Sequence, residues 1–450
     1  MATVAFVGLC LAVLARSAQM LEPDDFAYRA SIVALTRGHI ALTSAQYTAL
    51  AQELGSIMQW VQLSDGRWIS EKNPGYPFLA APFQLLGILR VAPLFYGALG
   101  CLGLYVGGRR WLGPWGGTWA VLLYCASGAA LVFAWRATMP TFTDTSLVAA
   151  GTGTLLWTML ASEAATRRRT IVGLLAFLAL EAAVAVRYTN VLLLAVALVA
   201  VALGRGAARL PLRSFAWWLA SVGAAAGLVV AFDARYYGGA LKTGYASGEI
   251  TFGLSALEPN LRGMPYHLLR SMPLLLLAVT AAGWIALRAA RALGRGLGRV
   301  ERSGRRRDGA VAAALVASWL AIFGLYATYD WTVQQSARHD LTVHVVRFYL
   351  PALGAVALLG AWLLSRLPRS LTLATAAAAV CLAVATYPSL ASVGRGPGVG
   401  MGPSRGLAPG QLQGDVPPGA RPTGRPPIGE PPGGQPPSGS TPSPSPSVSP

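Results

Sequence analysis

Residues 170 to 204 read TIVGLLAFLALEAAVAVRYTNVLLLAVALVAVALG, with Glu181 and Arg187 as the only charges in the run. About 20 apolar residues cross a bilayer as helix. The stretch is therefore either one overlong helix or two short spans that turn at Arg187, Tyr188, Thr189 and Asn190. That choice sets the side of everything downstream. A single helix would put 288 to 308, with its eight arginines, outside the membrane, against the excess of Lys and Arg in cytoplasmic loops. Two spans keep that segment inside and are the preferred reading.

Working outward, uncharged stretches recur at 1 to 15, 91 to 108, 111 to 135, 145 to 162, 214 to 232, 271 to 287, 309 to 329, 348 to 365 and 370 to 394. With 170 to 186 and 188 to 204 they predict an all-α polytopic membrane protein of about eleven transmembrane helices. Composition agrees. Of 450 residues, 54% are hydrophobic and 12% charged, where a soluble chain carries about 25% charge. Mean hydropathy is +0.50. Soluble enzyme classes are excluded. The net charge of +18 comes from arginines scattered among apolar runs, with no basic face or stacking platform for nucleic acid. Cys10, Cys101, Cys125 and Cys381 all lie inside apolar runs, where they read as small core residues.

With the amino terminus inside, the predicted cytoplasmic connections hold 18 of the 36 basic residues in 43 positions. The first stretch is short, roughly 22 Å as helix, and no basic residue precedes it, so it is read as a cleaved signal peptide or a mis-called start codon, and either fate leaves the next segment outside. The long loops fall on the exterior: 16 to 90, 233 to 270 and 330 to 347. Long loops without a fold of their own are usually functional, so chemistry is expected there. In the first of them Phe26 to Leu35 reads as a short helix, and the apolar run from Pro77 to Leu89 is too short to span and belongs at the interface. Residues 1 to 394 form the predicted membrane domain. From 395 to 450 the chain holds 16 of its 30 prolines among Gly and Ser and reads as a disordered exterior tail.

Several constellations carry candidate chemistry. Glu22-Pro23-Asp24-Asp25 follows the first stretch, and its carboxylates suit either a helix cap or a general base. A capping geometry would also hold a base rigid. Lys72, one of only two lysines, stands in Glu71-Lys72-Asn73-Pro74-Gly75-Tyr76-Pro77, where it either snorkels or holds a phosphate as a point charge. Arg136 and Asp144 flank the sequence ATMPTFT and read as an ordinary ion pair or as site residues. Arg187 and Arg347 sit at the mouths of spans, and Glu181 inside one. Ionisable groups at such depth normally face a bundle interior or a cavity. The segment from Asp233 to Tyr245 is aromatic and glycine-rich, suited to packing on sugar or lipid. His39, His267, His339 and His344 lack metal-ligand spacing, so no metal site is expected.

In this order the residues resemble the GT-C fold membrane glycosyltransferases, particularly the bacterial relatives of protein O-mannosyltransferases and of the lipid A aminoarabinose transferase. PDDFAYRAS, with Asp24 and Asp25, is similar to the family's DE or DD motif after the first helix. EKNPGYPFLAAP resembles its lysine- and proline-rich re-entry segment, and RATMPTFTD its arginine, proline and aspartate after the third helix. RFYLPALGAVALL, opening on Arg347, resembles its late RYLLPALP-type helix start. Asp25 stands where Glu is commoner, and Asn73 where Pro is frequent.

The resemblance implies an inverting hexosyl- or pentosyltransferase of the bacterial inner membrane with its site on the extracytoplasmic face. Its donor would be a polyprenyl-phosphate sugar and its acceptor a hydroxyl of a glycan, lipid or protein. Asp24 would be the base with Asp25 second in line. Lys72, Arg136 and Arg347 would bind the donor phosphate, and Asp144, Arg187 and Tyr245 are further site candidates. No nucleotide-sugar fingerprint is present or needed, because the lipid delivers the activated sugar. A transporter or flippase of lipid-linked sugars would want paired repeats broken at mid-membrane, and no internal repeat is apparent. A scaffold that anchors the proline-rich tail leaves unexplained why acids and long loops concentrate on one side.

Overall fold

A computed structural model describes residues 1–15, 22–55, 57–240, 242–245, 250–294, 299–336 and 342–391. The predicted tail, 395 to 450, lies outside the described residues. The apolar stretch at the amino terminus forms α1 (Ala2–Leu14). Between it and the next long helix the chain builds α2 (Pro23–Thr36), α3 (Ser44–Leu54), a hairpin of β1 (Trp60–Gln62) and β2 (Trp68–Ser70), and α4 (Gly75–Leu85). Local signals account for each. Helix α2 starts on Pro at its first position with a reciprocal capping box between Glu22 and Asp25. Helix α3 starts on a Thr43–Gln46 capping box and ends on Gly55 in the left-handed conformation. The hairpin pairs Trp60 with Ser70 and Gln62 with Trp68. It is braced by Tyr47 stacked on Trp68 at 4.4 Å. Eleven residues make α4 too short to cross a membrane, and it leaves Phe78 and Leu85 exposed.

The rest is helical: α5 (Ala92–Leu112), α6 (Pro114–Cys125), α7 (Gly128–Trp135), α8 (Thr141–Leu160), α9 (Thr166–Val186), α10 (Val191–Gly204) and α11 (Leu212–Tyr237) come first. They are followed by α12 (Leu257–Ser271), α13 (Leu275–Gly294), α14 (Arg299–Ala327), α15 (Asp330–Ser336), α16 (Thr342–Val346), α17 (Leu353–Leu364) and α18 (Arg369–Ala391). The chain breaks at Arg187, where a 3-10 turn over Tyr188–Asn190 separates α9 from α10.

Each of the eleven apolar stretches contains helix, but a count of eleven spans does not follow. Among the described residues five helices are long and apolar enough to cross a membrane, or up to seven if α6 with α7, bent by 63°, and the pair meeting near Met272, bent by 108°, each count as one. The shortfall has a physical reason. Helix α17 is apolar yet only 12 residues long, and all of it is buried in protein. Helix α8 is long enough but rich in Thr, Ser and Gly, and its neighbours α5 and α9 cover it. A helix enclosed by other helices needs neither full span length nor a lipid-like surface.

Close packing of α5 on α8 rests on small residues. A methyl group on Gly107 would come within 2.3 Å of the Gly153 carbonyl oxygen, and one on Gly153 within 2.2 Å of that of Gly103. This small-residue seam lets the two backbones touch. It sets α8, which carries Asp144 in its first turn, directly against α5.

Candidate active site

The start of α2 sends two adjacent acids to different surroundings, because successive residues on a helix diverge by about 100°. The Asp25 carboxylate is completely buried. It accepts from the Glu22 backbone N–H at 3.1 Å, from Thr138 Oγ1 at 2.8 Å and from the Arg136 guanidinium. Asp24 takes no part in the cap and keeps 19% of its side chain exposed. Its carboxylate meets Lys72 Nζ at 3.1 Å and Arg347 Nη1 at 2.8 Å. Burial works against its charge, yet Arg347 and then Lys72 outweigh that and hold the carboxyl well below its usual range.

Lys72 arrives at the end of the hairpin. Its Nζ faces Asp24, Glu71 at 3.2 Å and the Tyr245 hydroxyl at 3.2 Å, and lies 4.7 Å from the Tyr245 ring centre. Burial opposes the ammonium charge, and Asp24 and Glu71 more than offset it, so the group titrates above its ordinary value. Asn73, the departure from the family pattern, donates to the Val186 carbonyl at 3.3 Å. That bond ties the lysine's loop to the end of α9. Gly75 allows the same approach, since a methyl group there would come within 2.3 Å of Ala185 backbone.

Arg347 follows α16 and bridges Glu22 and Asp24 through Nη1. Its Nε is buried with no hydrogen-bond partner. The Trp331 ring stands 5.2 Å from its guanidinium carbon. Arg136 is only 1% exposed and lies behind the acids, with Nη1 on Glu22 at 2.8 Å and Nη2 on Asp25. Its expected partner Asp144 pairs instead with Arg187 at 3.3 Å and accepts from Asn190. Arg187 in turn donates to the Arg347 carbonyl at 2.9 Å.

The structure thus brings Asp24, Lys72, Arg347 and Tyr245 together, sets Asp25 and Arg136 behind them, and joins the Asp144–Arg187 pair to the group through the Arg347 main chain. Sequence reasoning missed three residues. Thr138 fixes Asp25. His344 Nδ1 lies 3.4 Å from Glu22. Gln59 adds, after Arg347 and Lys72, to what holds the Asp24 carboxyl below its usual range. Thr138 and His344 sit within or beside motifs already singled out; Gln59 carries no local signal.

The chain matches no known protein family and no curated protein. Among solved structures it is similar to ArnT from Cupriavidus metallidurans in the apo state, with a TM-score of 0.48 and 16% identity over 87% of this chain and 76% of that one. The same protein bound to undecaprenyl phosphate gives 0.46 and 15% over 87% and 73%. An oligosaccharyltransferase from Archaeoglobus fulgidus, in the apo form, gives 0.48 and 12% over 87% of this chain and 56% of that one. Likeness of this degree transfers no residue role and no activity.

Proposed function

We propose that this chain is a GT-C-type membrane glycosyltransferase, with 1 to 394 as its catalytic domain. It moves a hexose or pentose from a polyprenyl-phosphate carrier to an acceptor hydroxyl on the extracytoplasmic face of a bacterial inner membrane. The observation that carries the reading is the Asp24 carboxylate. It is the accessible acid of its cluster and stands within 3.1 Å of two cations, Lys72 and Arg347, that a phosphate can share.

In the proposed step Asp24 takes the acceptor proton as the acceptor oxygen attacks the anomeric carbon. The bond from that carbon to the phosphate oxygen breaks on the opposite face and the electron pair leaves with the phosphate, so configuration inverts. Phosphate needs neutralisation of its growing charge more than a proton. The buried Nε of Arg347 is a donor without a partner, and Lys72 supplies a point charge beside it. Sharing these cations with phosphate relaxes their hold on Asp24 and makes the carboxylate a better base. Asp25 and Arg136 form the frame that aims the turn. Asp144 and Arg187 hold the Arg347 main chain.

The test is transfer by the purified protein in lipid, offered a panel of polyprenyl-phosphate hexoses and pentoses with glycan, lipid and peptide acceptors. Turnover or hydrolysis of one donor is expected. Inertness toward the whole panel, with the protein folded, would count against the reading.

A further inference from the structure

Beside Arg347 lies an aromatic strip that the proposed step leaves unused. Phe252 and Trp331 flank Tyr329, each within 26° of parallel to it, at 5.0 and 6.2 Å between ring centres. The middle ring is buried, and the outer two keep 40% and 36% of their surface exposed. At 6.2 Å the Trp331 ring is slipped past Tyr329 rather than covered by it. Phe348 meets Trp331 edge-on at 5.6 Å and 74°. The Arg347 guanidinium carbon stands over the Trp331 ring at 5.2 Å, and the same arginine reaches Asp24 at 2.8 Å.

An exposed tryptophan near a membrane surface has an ordinary explanation, the aromatic belt at the level of the lipid headgroups. A belt residue needs only the right depth. Trp331 is also fixed in direction. Two exterior segments are stitched together here: Phe252 is bridged to Tyr329, the Gly253 N–H donates to the Thr328 carbonyl at 2.7 Å, and the Asp330 N–H donates to the Thr251 carbonyl at 3.1 Å. The buried Asn260 amide donates to the Ala327 and Tyr329 carbonyls at 3.0 Å each and accepts from the buried Thr332 Oγ1 at 3.1 Å. The chain on both sides of Trp331 is thus tied down by polar bonds that a ring floating among headgroups does not need. Such support is what a binding surface of fixed geometry requires.

We infer that Trp331 is a sugar-binding residue, whose exposed ring packs against the transferred sugar of the donor. The inference rests on the transferase reading and deepens it by placing the sugar. A phosphate held by Arg347 carries its sugar one bridging oxygen away, which brings the sugar to the ring that Arg347 stands over. One face of a hexose or pentose presents C–H groups, and the negative face of the indole attracts them. This contact reads the sugar ring itself and adds nothing to the hold on the phosphate or on the lipid chain.

The experiment measures equilibrium binding to the full-length protein in lipid. The ligands are each polyprenyl-phosphate sugar of the panel and the methyl phosphodiester of the same polyprenol, which has the same charge and chain but no sugar. The quantity read is the ratio of the two affinities within each variant, so partial loss of folded protein does not affect it. Trp331→Leu keeps an apolar side chain for lipid contact but no aromatic face. It should lower the preference for the sugar-bearing ligand by about threefold to tenfold and leave binding of the methyl ester unchanged. Trp331→Phe keeps an aromatic face and should retain the preference in large part. Equal weakening of both ligands in Trp331→Leu would make Trp331 a support for Arg347 or a lipid contact, and overturns the inference. So does an unchanged ratio, or a preference lost as fully in Trp331→Phe as in Trp331→Leu. Because no turnover is needed, the two readings fail separately. An active protein with an unchanged ratio loses the sugar site and keeps the transferase, whereas a Trp331-dependent preference in a protein inert toward the whole panel does the reverse.

Discussion

The two ends of the helix bundle handle charge differently. At the end away from Asp24, charged groups work singly. Arg110 pairs with Glu163, Arg366 with Asp308 at 3.0 Å, and Arg169 reaches the Thr158 and Ala208 carbonyls at 3.1 and 2.7 Å. Most of these groups are open to solvent. At the Asp24 end the ions interlock and are buried: Glu22 alone is shared among Arg136, Arg347 and His344. Exposed pairs add about 0 to 1 kcal/mol, and a buried network is no more stabilising than the apolar packing that could replace it. The contrast teaches that the second network needs a reason beyond stability, and a charged substrate supplies one.

Removing the arginine at each end sharpens the comparison most. Arg136→Met takes the guanidinium from the buried Asp25 and one of three partners from Glu22, and should destabilise the protein by about 3 to 5 kcal/mol. Arg110→Ala should cost about 1 kcal/mol or less. Thermal unfolding of the purified proteins in one detergent compares them, and equal losses would erase the distinction.

Lys72→Ala tests a member of the network that faces the site. It should raise the KM for the polyprenyl-phosphate donor by about tenfold to a hundredfold, from loss of a charged hydrogen bond, with a smaller effect on unfolding than Arg136→Met. An unchanged KM would return Lys72 to a structural role.

The smallest effect is on pH dependence. Because the folded-state Asp24 carboxyl titrates below its usual value, its contribution to stability is complete above the unfolded value and fades only as pH falls through the lowered one. The difference in Tm between wild type and Asp24→Asn should therefore stay constant from about pH 7 to about pH 5. A difference that shrinks within that range would mean that Lys72 and Arg347 do not hold the carboxylate as described.

Much of this arrangement was legible in the sequence. Helix starts and breaks follow local chemistry, and the break at Arg187 falls where charge and the Tyr-Thr-Asn turn place it. Asp24, Lys72 and Arg347 stood out because charge is scarce in an apolar chain. The span count was not legible, since hydropathy does not say whether a helix meets lipid or protein: Leu353–Leu364 is apolar and wholly enclosed. Nor were the ion partners. Arg136 and Asp144 are close in sequence, but the turn before α8 and the helix itself send them to different neighbours. Gln59, in the left-handed region at φ +58°, was invisible because the local sequence offers no glycine or asparagine to announce it.

The central claim is a division of labour between two adjacent acids, and paired substitutions test it directly. Asp24→Asn and Asp25→Asn are assayed side by side for transfer from the selected polyprenyl-phosphate sugar and for unfolding. Asp24→Asn should stay folded and membrane-inserted with at most about 1% of wild-type kcat, as loss of a positioned base removes about 10² to 10⁴ in rate. Asp25→Asn should mainly destabilise, because the buried Arg136 loses a charged partner. If Asp24→Asn keeps more than about half of the wild-type rate, a general base is not at Asp24, and the account fails at its centre.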